Sequence, residues 1–90
     1  MAFEFDKAKS QSNKIKHGID FHEARVLWDD PDRVLFGARF QDEDRHGIIA
    51  RDSSGLWCAI FTLRHENLRI ISVRKAREYE KKIYHQSGGF

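Results

Sequence analysis

The chain has 90 residues, 40% of them apolar and 33% charged, and carries a net charge of +2; these proportions describe one folded domain and exclude a disordered polyelectrolyte. So short a chain buries only about 60% of its unfolded surface, and seven Phe, two Trp and two Tyr are the large side chains available to fill a thin core. The single cysteine excludes an internal disulfide, no apolar run reaches the ~20 residues of a membrane helix, and the opening residues lack the pattern of a signal peptide, so a cytoplasmic setting is expected.

Phe3-Glu4-Phe5 alternates apolar and polar and predicts a short strand. Asp6 is a natural N-cap for a helix over 7–17 that Gly18 would stop, with Ala8 and Ile15 on its buried face. Asp20 and Glu23 have the spacing of a capping box. Behind them Phe21, Ala24, Leu27 and Trp28 line one face of a second helix, ending near Asp30-Pro31. The period then shortens to that of strands, over 34–40 with a bend at Gly37, and over 45–52 around Ile48 and Ile49. After a turn at Ser53-Ser54-Gly55, the run from Leu56 to Phe61, Trp57 included, is apolar without alternation, as in a central strand buried on both faces. Leu68 to Val73 is the last strand. A closing helix is expected over 74–85, burying Ala76, Tyr79 and Ile83, which makes residues 1–85 a single domain and 86–90 a flexible tail. This order predicts an α+β fold, an antiparallel β-sheet carrying two N-terminal helices and one C-terminal helix.

The small net charge hides a basic–acidic–basic layout. Residues 7–19 hold four Lys and no acid, 20–45 hold eight acids against four Arg, and 64–85 hold seven Lys or Arg against three Glu. If the two basic segments meet they make a positive patch suited to a polyanion; as separate solvated faces they would do nothing of the kind. The acidic middle (Asp29, Asp30, Asp32, Asp42, Glu43, Asp44) would then face away from the polyanion and toward a basic partner.

No phosphate loop, dinucleotide fingerprint or zinc-protease motif is present. Asp29, Asp30 and Asp32 resemble a hard-cation site but also fit a turn before Pro31, and no metal site or cofactor is expected. Ser53, Ser54 and Cys58 lack a local base. Lys, Arg and His without metal ligands suit one reaction well, the cleavage of RNA by its own 2′-hydroxyl. There the protein need only move protons and stabilise charge on phosphorus, and DNA is spared. Lys16 and His17 end the first helix, where its dipole alone favours a cation by ~0.3–1 kcal/mol. Arg64 and Arg69 flank the last hairpin, as solvated groups or as phosphate ligands. Arg74 and Arg77 open the closing helix, an unfavourable place for cations that points to phosphate. His22, His46, His65 and His85 share no spacing and read as surface or turn residues. The other reading of the same charges is a non-catalytic module that binds nucleic acid or protein and cuts nothing.

With those residues in view the chain resembles the BrnT family of small ribonuclease toxins, from Phe3 to Tyr84. The resemblance is carried by Phe3-Glu4-Phe5-Asp6, Asn13-x-x-Lys16-His17-Gly18-x-x-Phe21-x-x-Ala24, Phe61-Thr62-x-Arg64, Arg69-Ile70-Ile71-Ser72, and Arg74-x-Ala76 with Glu80 and Tyr84. It implies a RelE-like toxin fold and a metal-independent endoribonuclease that inhibits translation. It also implies a BrnA-type DNA-binding antitoxin as partner, with operator DNA reached only through the toxin–antitoxin complex. Lys16, His17, Arg64, Arg69, Ser72 and Arg74 are the catalytic candidates it supports, while Lys14, Arg45, Arg77, Lys81 and Tyr84 are the expected RNA-binding residues. The chain departs from the family pattern at Phe5, Ala50 and Tyr79, where Trp, Gly and a basic residue are usual.

Overall fold

The alternation at the start of the chain forms strand β1 (Ala2–Glu4), whose neighbour in the sheet is the last strand rather than the next. The computed structural model describes residues 2–40 and 43–88. In it β1 is followed by α1 (Lys7–His17), a 3-10 helix (Glu23–Asp29), β2 (Val34–Phe40), β3 (Glu43–Asp52), β4 (Gly55–Arg64), β5 (Asn67–Lys75) and α2 (Glu78–Gly88). One sheet holds all five strands in the order β1-β5-β4-β3-β2.

Strands β2 to β5 form an antiparallel meander, but β1 runs parallel to β5, with Phe3 opposite Leu68 and Glu4 opposite Arg69. The α+β class holds, and the all-antiparallel sheet is corrected to a mixed one. The cause is topological: α1 and the 3-10 helix carry the chain across to the far edge at β2, and three hairpin reversals then bring β5 back in the direction of β1.

Local signals fix the first half. The Asp6 carboxylate accepts from the Lys9 N–H at 3.0 Å, and Gly18 closes α1 at φ 82°, its N–H bonded to the Lys14 carbonyl. Asp20 and Glu23 form the expected reciprocal capping box, at 2.7 and 3.0 Å. The helix it opens is 3-10 rather than α. Its fully buried residues, with Phe21 before it, are Phe21, Ala24 and Leu27, a spacing of three that matches three residues per turn.

Burial corrects two helix faces. Ile15 is 87% exposed and Ala8 is exposed too; α1 buries Ser10 and Asn13 instead. The Ser10 hydroxyl accepts from the Phe21 N–H, while Asn13 bonds to Ile19 and to both backbone groups of Val73. On α2 Tyr79 and Ile83 are exposed, and Glu80 and Tyr84 are buried. The main core lies between the sheet and the α1/3-10 layer, built from Phe21, Leu27, Ile48, Trp57, Phe61, Leu68, Ile70 and Val73 among others. A smaller cluster of Ile49, Ala76 and Tyr84 lies under α2 on the other face, so β4 is covered on both sides as expected.

The closing helix begins later than its sequence suggests. β5 continues through Lys75, the Ala76 N–H bonds to the Leu56 carbonyl, and α2 starts at Glu78 with the Glu80 carboxylate reaching back to the Arg77 N–H. Arg74 is therefore a strand residue. α2 runs on through Gln86 to Gly88, into the segment expected as a tail; Gly89 and Phe90 lie outside the described residues, as does Asp42 of the acidic segment. No helix among the described residues is long and apolar enough to cross a membrane.

Candidate functional site

Side chains alternate across a strand, so the register assigns each candidate to a face. The face that carries α2 receives Glu4 from β1, and Arg69, Ser72 and Arg74 from β5. From β4 and β3 it receives Cys58, Ile60, Thr62 and Arg64, then Arg45, Gly47 and Ile49. Arg69 and Ser72 are three residues apart and would ordinarily point to opposite faces. A β-bulge puts them on the same one: Ile60 pairs with Ser72 and Phe61 with Ile70, leaving Ile71 as the extra residue.

Near the β4–β5 hairpin the face is a basic patch. Arg69 lies opposite Thr62 on β4 and opposite Glu4 on β1; its Nη1 is 4.0 Å from Glu4 Oε1, with both side chains about one-third exposed. Arg64 is exposed at the end of β4, and Arg45, half-buried, lies on the same face of β3. Between these cations Thr62 is 3% exposed and its Oγ1 has no hydrogen-bond partner among the described residues. A buried hydroxyl without a partner costs on the order of 1–3 kcal/mol.

Arg74 stands at the other end of the face, roughly 16 Å from Arg69 along the strand. Its guanidinium grips the Glu80 carboxylate at 2.7 and 3.0 Å and touches the Lys75 carbonyl. Burial by itself would raise the Glu80 pKa, but Arg74, the Arg77 N–H and the Cys58 thiol outweigh it and hold the carboxyl down at about 2. Burial first, then the Glu80 charge, push the Cys58 thiol up to about 12, which makes it an inert core residue.

The helical candidates lie off this patch. α1 runs along the edge of β5 that β1 leaves open, where Asn13 pairs with Val73 as a missing strand would. Lys16 and His17 follow one turn later and are exposed. Lys14 is paired with Glu23 at 2.8 Å, and Lys81 with Glu78 at 3.3 Å, both on the surface. Arg77 is exposed at the start of α2. Tyr84 is 4% exposed and donates its hydroxyl to Asp30 at 2.8 Å, so it packs inside the domain rather than offering a ring to a base.

Asp30 also accepts from the backbone N–H groups of Asp32 and Arg51, which makes the aspartate cluster a turn-and-staple device. Among the described residues no three His, Cys, Asp or Glu side chains gather into a group able to hold a metal. On the opposite face of the sheet a hollow of about 490 Å³ is lined mainly by apolar residues, Trp28, Leu35, Phe61, Leu63 and Leu68 among them.

Sequence reasoning did not single out Glu4 or Thr62 for chemistry. Thr62 comes beside Arg69 through the β4–β5 ladder, and Glu4 through the parallel β1–β5 pairing, which no local pattern encodes. No curated protein sequence matches the chain. A comparison with protein families matches residues 5–80 to the ribonuclease toxin BrnT of type II toxin–antitoxin systems. That match spans most of the domain, including Thr62, Arg64, Arg69 and Arg74, and the chain belongs to the BrnT family of type II toxin–antitoxin ribonuclease toxins.

Proposed function

We propose that the chain is a metal-independent endoribonuclease whose catalytic surface is the basic end of the sheet face, and that it inhibits translation by cutting RNA. The observation that carries this is that the register puts Arg64, Arg69 and Arg45 on one face of three neighbouring strands near the β4–β5 hairpin. Guanidiniums gathered on one face suit a phosphate that gains negative charge on the way to a five-coordinate transition state. RNA brings its own nucleophile, the 2′-hydroxyl, so such a surface has to bind, stabilise charge and exchange protons.

In this reading Arg69 and Arg64 hold the scissile phosphate and Ser72 contacts a neighbouring oxygen. Arg74, engaged by Glu80, supports the face where α2 joins it. Lys16 and His17 at the edge of β5, with Arg77 and Lys81 on α2, attract the RNA strand beyond the scissile bond. The toxin would be RelE-like in fold and neutralised by a DNA-binding antitoxin of the BrnA type, and would reach operator DNA only in that complex. The family match supports an antitoxin partner and an RNA target in general terms.

The test is to incubate the protein with a labelled single-stranded RNA and its DNA counterpart, with and without EDTA, alongside Arg64→Ala and Arg69→Ala. RNA cut in EDTA, DNA left whole and cleavage lost in both variants is the expected result. RNA bound but never cut would make the chain a non-catalytic binding module.

A further inference from the structure

Cleavage by the 2′-hydroxyl needs a group that takes its proton, and that group has to reach the phosphate held by Arg69. Lys16 and His17 end α1 beyond Asn13, which bonds to Val73, four residues past Arg69 on β5. Two acids pair with arginines of the face, Glu4 with Arg69 and Glu80 with Arg74. Glu80 is buried and fully engaged by Arg74, the Arg77 N–H and Cys58. Glu4 differs on each count. It is about one-third exposed and accepts no hydrogen bond from the described residues, and its 4.0 Å approach to Arg69 is an open ion pair that leaves its lone pairs available. Its charged partner is Arg69 on β5, and Asp6, two residues along the chain, has its own carboxylate taken by the Lys9 N–H.

We propose that Glu4 is the proton acceptor of the cleavage step, a reading that rests on the ribonuclease activity argued above. The parallel pairing of β1 with β5 makes the row Glu4, Arg69, Thr62 across three strands; Glu4 and Arg69 are about one-third exposed while Thr62 is buried, so an acceptor and a cation face one phosphate. In the step the O2′–H proton passes to a Glu4 carboxylate oxygen while O2′ forms a bond to phosphorus. The bond from phosphorus to O5′ breaks, and the departing O5′ takes a proton from water. The products are a 2′,3′-cyclic phosphate and a 5′-hydroxyl end, and Glu4 returns its proton to solvent. Arg69 stabilises the charge on the non-bridging oxygens throughout.

The experiment uses the full chain and one single-stranded RNA oligonucleotide, with its 2′-O-methyl analogue as an uncleavable binding probe. Wild type, Glu4→Gln and Glu4→Asp are compared for cleavage rate from pH 4 to 9, for binding to the analogue, and for melting temperature. Glu4→Gln should cut at least about 100-fold more slowly, the scale of general base catalysis. It should bind the analogue as tightly as wild type or more so. Glu4→Asp, which keeps the carboxylate, should recover part of the rate. Glu4→Gln cutting within threefold of wild type, or losing binding in step with cleavage, overturns the assignment while the ribonuclease reading stands. Wild-type protein that binds RNA and never cuts it overturns both.

Discussion

The guanidinium of Arg74 on β5 meets the carboxylate of Glu80 on α2 through both oxygens, and Glu80 is only 3% exposed. This pair ties the closing helix to the sheet. Removing one partner of a buried pair leaves an uncompensated charge, so Arg74→Ala should cost about 3–5 kcal/mol in a denaturant titration. A double replacement, Arg74→Met with Glu80→Leu, should recover most of it. If Arg74→Ala is nearly neutral, the pair is not what holds α2.

The same carboxyl sets an acid limit. Glu80 is held down at about 2 in the folded chain, against 4.5 when unfolded. A depressed folded pKa adds stability that is complete above 4.5 and is lost as the pH falls from there toward 2. Asp30 and Asp52, lowered by hydrogen bonds that outweigh their burial, act in the same direction. Melting temperature should therefore be level near neutrality and fall through this window, less steeply in Glu80→Gln.

Asn13 makes three buried hydrogen bonds from one side chain, two of them to the backbone of Val73 where β5 has no neighbouring strand. Asn13→Ala strands those buried groups and should cost about 2–3 kcal/mol. Ile15→Ser, two residues away at an 87% exposed position, should stay within about 0.5 kcal/mol. Hydrophobicity alone would order these two substitutions the other way.

That inversion marks what the sequence could and could not say. Caps, turns and strands were legible because each depends on neighbours in the chain: Asp6, Gly18 and the Asp20–Glu23 box sit where their local chemistry requires. The buried faces of α1 and α2 were not, since Asn13 and Glu80 are buried by partners sixty and six residues away. The candidate site divides the same way. Arg64 and Arg69 could be read from a hairpin, whereas their sharing a face with Ser72 needs the bulge at Ile71, and with Glu4 the parallel strand.

Gly47 on β3 lies under the ring of Phe36, and a Cβ there would collide with the ring atoms. Gly47→Ala must push the ring away from the sheet next to the basic patch, costing about 1–3 kcal/mol. Phe36 is 36% exposed, so the ring has somewhere to go, and Phe36→Ala should relieve most of that strain. A double-mutant cycle measured by chemical denaturation should show coupling of at least about 1 kcal/mol, and additivity would mean that the two do not meet.

Tyr84 and Arg69 separate packing from binding. The Tyr84 hydroxyl is spent on Asp30, and the Arg51 guanidinium lies 5.6 Å from its ring centre, so nothing of it faces a ligand. Tyr84→Phe should cost about 1 kcal/mol, which for a domain of this size lowers the melting temperature by roughly 4–8 °C, and should leave RNA affinity unchanged. Arg69→Ala should do the reverse. Its pair with Glu4 is long and partly exposed, so stability should move by less than about 1 kcal/mol. RNA affinity should fall, and the slope of log affinity against log salt should become shallower by about 0.7, because one phosphate is no longer neutralised. A Tyr84→Phe protein that melts like wild type and binds RNA weakly would place the binding surface at α2 instead of the β4–β5 hairpin.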